Sequence, residues 1–158
     1  MVSVIVPNYN HQQYLKQRLD SIFNQTYQDF EVILLDDCST DNSLEELSEY
    51  VSHPKVSHFV VNKVNSGSPF KQWANGIKLA KGEFVWIAES DDMASKEFLA
   101  SLAEEIDQNT NLVFCPVQYI DENGNATVQD RKQNFSKIDS TQEFIEKHLL
   151  GKNDIITG

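Results

Sequence analysis

Basic residues are scarce in this 158-residue chain: 13 Lys and Arg stand against 24 Asp and Glu, a formal charge of −11. Nucleic-acid binders draw most of their affinity from clustered Lys and Arg on phosphates, and no window here concentrates them, so that class is excluded. An anionic membrane surface would repel the chain for the same reason. Cysteine is nearly absent. Cys38 and Cys115 lie far apart and form no C-x-x-C pair, which leaves neither a zinc motif nor a disulfide framework and points to a reducing compartment. Long apolar runs are missing too: nothing nears the ~20 residues that span a bilayer. Met1-Val2-Ser3-Val4-Ile5-Val6-Pro7 carries no basic stretch ahead of an apolar one. The expectation is a cytoplasmic protein without a transmembrane segment, reaching the inner membrane face only through further sequence.

What is present is an ordinary globular composition, 40% hydrophobic and 10% aromatic. A chain of roughly 150 residues buries enough surface to fold as one domain without a staple. Val2 to Val6 is a β-branched run closed by Pro7, the mark of a buried strand. Asn10, with Gln13 three residues on, is expected to cap a helix whose stripe is Leu15, Leu19, Ile22 and Phe23. Phe30 to Leu35 is a second strand ending in Asp36-Asp37, followed by a helix with Leu44, Leu47 and Val51 inward and Pro54 at its end. Val56 to Val61 is a third strand, and a helix from about Phe70 to Ala80 stops at Gly82. Glu83 to Ala88 is a fourth strand running into Glu89-Ser90-Asp91-Asp92. A helix from near Ser95 turns Phe98, Leu102 and Ile106 inward, and Leu112 to Tyr119 is a fifth strand before a hairpin-type turn at Asp121-Glu122-Asn123-Gly124. Such alternation gives an α/β fold, a mostly parallel sheet with helices on both faces. Past Asn125 the pattern fades: Gln129 to Lys137 is polar, Ser140 to Leu149 reads as a helix, and the chain reads as breaking off after Ile155-Ile156.

In open α/β sheets ligands bind beyond the carboxyl ends of the strands. Strand one delivers Pro7-Asn8-Tyr9-Asn10 there, strand two Asp36-Asp37, strand four Glu89-Ser90-Asp91-Asp92. A single Asp-Asp pair reads equally well as a helix-capping turn; two pairs at one sheet edge with an aromatic beside them favour a site. Carboxylates crowded into one crevice repel one another unless a cation or donors compensate. Oxygen-only ligands select hard cations, so Mg²⁺ or Mn²⁺ is expected, with a ligand's phosphates and water completing its shell. Zinc is not, because His11, His53, His58 and His148 are dispersed and each reads as a surface or structural histidine.

Four blocks carry a resemblance: Val2 to Asn10, Gln25 to Ile33, Asp36 to Ser43, and Gly82-Glu83-Phe84 leading to Glu89-Ser90-Asp91-Asp92. In order and spacing they resemble family 2 glycosyltransferases of the Rossmann-like GT-A fold over about the first 120 residues. The resemblance implies a transferase that takes a sugar from a nucleotide-sugar donor, UDP-linked in most of the family, to a saccharide or glycolipid acceptor with inversion and a divalent metal, as in polysaccharide assembly. Residues 1–120 then form the donor-binding part and 121–158 an incomplete start of the acceptor part of one domain. It also implies roles by position: Pro7 and Tyr9 lie against the base, Asp37 accepts a hydrogen bond from it, Asp91 faces the ribose, Asp92 holds the metal as the end of the D-x-D motif, and Glu89 supports them. Lys71 stands where many relatives have an Ala-Arg-Asn sequence, and reads either as a charge toward the donor or as an exposed helix lysine. Trp73 reads as core. In relatives the general base lies some tens of residues beyond the D-x-D, in the acceptor half, so the resemblance implies a base past Gly158; Asp130, Glu143 and Glu146 are the remaining acidic candidates, and none sits in a motif. Two other readings stay open: a donor-binding fragment without catalysis, and a phosphoacceptor receiver domain, which would want an acidic pair where Asn8-Tyr9-Asn10 stands.

Overall fold

A computed structural model describes residues 1–115, 117–121 and 125–127. The elements run β1 (Val2–Asn8), α1 (Gln12–Phe23), β2 (Phe30–Asp36), α2 (Ser43–Ser48), β3 (Val56–Val61), α3 (Pro69–Leu79), β4 (Phe84–Ile87) and α4 (Phe98–Glu104). The strands form a parallel sheet in the order β3-β2-β1-β4, the expected α/β architecture.

The central strands β1 and β2 are buried along their whole length, as mostly apolar strands covered on both faces are, with the polar Ser3 and Glu31 bonded to each other at 2.7 Å. Alternation sorts their side chains. Val2, Val4 and Val6 with Phe30, Val32 and Leu34 meet Leu15, Leu19 and Ile22 of α1 and Leu47 of α2 on one face. Ile5, Ile33 and Leu35 pack on the other face with Leu79 of α3. Gly76 makes that second layer possible, since a Cβ there would stand 2.4 Å from Ile5 Cγ2.

Four local expectations need correction. Asn10 does not cap α1: it takes φ +57°, and its Oδ1 accepts from the Thr40 N–H at 2.7 Å. Asp41 supplies the cap instead, its Oδ2 accepting from the Gln12 N–H at 3.0 Å. Helix α2 ends at Ser48 and the chain continues in successive turns, so Val51 points to solvent and Tyr50 packs inward, stacked on Phe23 at 5.6 Å. The helix expected from near Ser95 starts at Phe98, and Leu99 is its buried residue. Finally, the described part of Leu112 to Tyr119 forms no strand. Among the described residues the isolated pairing beside it is an antiparallel bridge between Ile120 and Ala126. Glu122 to Gly124, Gln129 to Lys137, the helix expected over Ser140 to Leu149 and the final apolar pair lie outside the described residues.

The chain divides into two compact units, Met1–Ala100 and Ser101–Gly158. The sheet and the residues discussed below belong to the first. Among the described residues no helix is long and apolar enough to cross a membrane.

Candidate functional site

Register places the ends of β1 and β2 side by side, with Asn8 opposite Asp36. Their side chains bond at 2.9 Å, and Ser39 completes the knot by donating its N–H and Oγ–H to the Asp36 carboxylate at 2.9 and 2.6 Å. Asp36 is fully buried in this knot and holds two strand-end loops together. One residue on, Asp37 turns to the opposite face, toward α3.

There the Asp37 carboxylate accepts from Asn62 Nδ2 at 2.6 Å, from the Ser66 N–H and Oγ–H at 2.9 and 2.7 Å, and from Gln72 Nε2 at 2.8 Å. Burial works against its ionisation, but the Ser66 and Asn62 hydrogen bonds, with Lys71 nearby, outweigh it and hold the carboxyl below its usual range. A carboxylate offers about four lone-pair sites. All are engaged, so Asp37 is the anchor of the loop between β3 and α3. The Cys38 backbone that follows sits at φ +64°, a left-handed conformation costly for a residue with a Cβ.

A cleft of about 390 Å³ opens at this carboxyl edge of the sheet. Pro7 of β1 and Tyr9 just past its end, Asp37 just past β2, and Glu89 and Ser90 after β4 line it. The structure therefore brings Pro7, Tyr9, Asp37 and Glu89 together. Pro7 is buried, whereas Tyr9 presents an exposed ring. Asp91, Asp92 and Lys71 are not on this lining. Asp91 is exposed, Asp92 is half-buried, and Lys71 donates to the Ser66 carbonyl at 2.8 Å.

The acidic segment is under electrostatic tension. Burial, then the charges of Asp91 and Asp92, pushes the Glu89 carboxyl above its usual range, against a hydrogen bond from Trp73 and the pull of Arg18. Asp92 is raised by burial and by Asp91, again against Arg18. Arg18 is buried in α1 with its guanidinium 4.9 Å from the centre of the Trp86 ring. Among the described residues no group of three or more ligating side chains could enclose a metal ion. The donor set still fits a hard cation: it offers oxygen only, in carboxylates whose repulsion a cation relieves, with room for a ligand's own oxygens.

Sequence reasoning missed several of these residues. His11 reads from the sequence as a surface or structural histidine; the structure places it on the cleft lining, with Nδ1 2.8 Å from the buried Ser90 hydroxyl. Trp73 was read as core, yet it is half-buried and donates its indole N–H to Glu89. Asn62, Ser66 and Gln72 carry no motif, and only the fold brings them to Asp37.

The chain was compared with known proteins. The family model described as glycosyl transferase family 2 matches residues 3–156. Among curated proteins, the poly(ribitol-phosphate) beta-N-acetylglucosaminyltransferase TarS of Staphylococcus aureus strain Mu50 is 40% identical over 111 residues, covering 68% of this chain and 19% of that protein. Among solved structures, S. aureus TarS 1-349 in complex with UDP-GlcNAc aligns with a TM-score of 0.62 and 35% identity over 74% of this chain and 37% of that one. The mannosyltransferase PcManGT from Pyrobaculum calidifontis, in complex with GDP-Man and Mn²⁺, aligns with a TM-score of 0.58 and 27% identity over 65% of this chain and 31% of that one. The chain thus spans about a fifth of the TarS length.

Proposed function

The chain belongs to glycosyl transferase family 2, and from that membership we propose that it forms the donor-binding part of an inverting, metal-dependent transferase that uses a UDP-linked sugar. A phosphoacceptor receiver is thereby set aside. The observation that carries the reading is the cleft at the carboxyl edge of the sheet, where Pro7, Tyr9, Asp37 and Glu89 converge. Support comes from the nucleotide-sugar complexes of TarS and PcManGT named above.

In this reading the exposed Tyr9 ring offers a stacking face to the base and buried Pro7 backs it. Asp37 meets the base edge, and because its acceptor sites are taken, a base N–H enters by displacing one of the donors of the β3–α3 loop. Asp91 faces the ribose. Asp92 holds the cation, Mn²⁺ or Mg²⁺, with Glu89 in support. A divalent cation bound there would stabilise the charge that develops on the diphosphate as the anomeric bond breaks. The acceptor is a saccharide or glycolipid hydroxyl: a carboxylate takes its proton while the hydroxyl oxygen attacks the anomeric carbon from the face opposite the diphosphate, and the bond to the nucleoside diphosphate breaks. That base is not assigned; Asp130, Glu143 and Glu146 lie outside the described residues.

Calorimetry with UDP tests the proposal. Binding that requires Mn²⁺ and disappears in folded Asp92→Ala is the expected result. Absence of UDP binding with the metal present, or binding indifferent to both EDTA and Asp92→Ala, would overturn it.

A further inference from the structure

We propose that His11 binds the diphosphate of the donor, its Nε2–H donating to a phosphate oxygen while Ser90 holds the ring in place. The inference rests on the donor reading above and assigns a residue that neither composition nor motif singled out.

Three observations carry it. The first is orientation. His11 follows the β1 end and lines the cleft beside Tyr9 and Glu89. Its Nδ1 is 2.8 Å from the Oγ of Ser90, which is 1% exposed, and Tyr14 packs edge-on at 6.1 Å. Among the described residues the Ser90 hydroxyl has no other partner; with Ser90 as the donor to Nδ1, the ring proton sits on Nε2. Nε2 itself has no partner among the described residues and is left to the cleft.

The second is charge. The lining carries two carboxylates, Asp37 and Glu89, and His11 is its one side chain able to become a cation. An anionic diphosphate set between those carboxylates needs a positive or donating group facing it. Arg18 is buried, and Lys71 is bound to the Ser66 carbonyl outside the lining.

The third is availability. Asn8 spends its amide N–H groups on Asp36 and Ser39, and Gln72 spends its own on Asp37 and Ser66. Asn65 gives one to the Asp37 carbonyl. His11 Nε2 is therefore an uncommitted donor of the lining, with the hydroxyls of Tyr9 and Ser68 beside it.

The test compares UDP with uridine by calorimetry, at saturating Mn²⁺, on the wild-type chain, His11→Ala and His11→Gln, with folding checked by circular dichroism. His11→Ala is expected to weaken UDP about tenfold or more, the size of a lost charge-assisted hydrogen bond, while uridine affinity stays unchanged. His11→Gln, which keeps an N–H donor, recovers part of the loss. Equal weakening of UDP and uridine would make His11 a loop-positioning residue and overturn the proposal, as would unchanged UDP affinity in His11→Ala. Failure of the wild-type chain to bind UDP at all would overturn the donor reading itself, an outcome distinct from both.

Discussion

Trp73 on α3 and Glu89 after β4 are joined by a 2.7 Å hydrogen bond from indole Nε1 to carboxylate Oε1. The bond ties the helix on one face of the sheet to the acidic segment at its carboxyl edge, and Phe70 buttresses the indole edge-on at 4.9 Å. Trp73→Phe keeps the ring and removes the donor. It is expected to cost about 1 kcal/mol, near the low end for a bond to a charged acceptor because Glu89 is only half-buried. Urea denaturation of the two proteins measures it. An unchanged midpoint would mean that water replaces the indole without loss.

Asp37 should govern part of the response to acid. Its carboxyl is held below the usual range, so the folded chain keeps it ionised at pH values where the unfolded chain has protonated it. That stabilisation is complete above the unfolded value of about 4 and is lost as pH falls through the folded value. Glu31 and Asp41 are lowered as well and act in the same direction. Asp37→Asn removes this contribution and turns an amide N–H₂ toward Asn62 and Gln72, which are themselves donors. A loss of about 2 kcal/mol at pH 7 is expected, shrinking toward pH 3. Urea midpoints for both proteins between pH 3 and 7 would show the two curves converging. Parallel curves would remove Asp37 from the acid response.

Which residues could be read from the sequence follows from how local their signals are. The strands β1 and β2 were legible because short, mostly apolar runs, broken only by Ser3 and Glu31 and closed by Pro7 or Asp36, have few other meanings. Pro7, Tyr9, Asp37 and Glu89 were legible because each directly follows or ends such a strand. Arg18 was not, although its spacing could have shown it. It lies three residues after Leu15 and four before Ile22, on the same buried stripe, and a charged residue on that stripe needs a partner. Its partner, Trp86, is 68 positions away in sequence and is assigned only by the sheet order. His11 carries no such signal, since a lone histidine matches no metal-ligand spacing; its nearness to Tyr9 in the same strand-end loop is the usable clue. Leu112 to Tyr119 shows the converse, an apolar run whose described residues form no strand.

Cys38 offers a stabilising substitution. Its φ of +64° carries a cost of roughly 1–2 kcal/mol for a side-chain-bearing residue, and its thiol makes only a long contact of 3.7 Å to the Lys63 carbonyl. Cys38→Gly removes the steric cost and gives back part of the gain through the freer unfolded chain. A net gain of about 0.5–1 kcal/mol is expected, read as a higher thermal midpoint. A lower midpoint would show that the thiol contributes packing that outweighs the backbone cost.

Arg18 is the cation closest in influence to the acidic segment. Burial pushes its guanidinium down to about 10, against the pull of Asp92, Glu89 and Asp91 in that order, so it remains charged at neutral pH. Two attractions offset its burial: the Trp86 face and these carboxylates. Its Nε, meanwhile, has no partner among the described residues. Arg18→Met preserves much of the volume and removes the charge, so its cost alone cannot say which attraction matters. A double-mutant cycle with Asp92→Asn can. If the carboxylates hold Arg18, the penalty of Arg18→Met, about 2 kcal/mol in the wild-type background, falls by about 1 kcal/mol once Asp92 is neutral, a coupling of the size neighbouring charges show. If stacking on Trp86 is what counts, the penalty is the same in both backgrounds, and the acidic segment has no buried counter-charge of consequence.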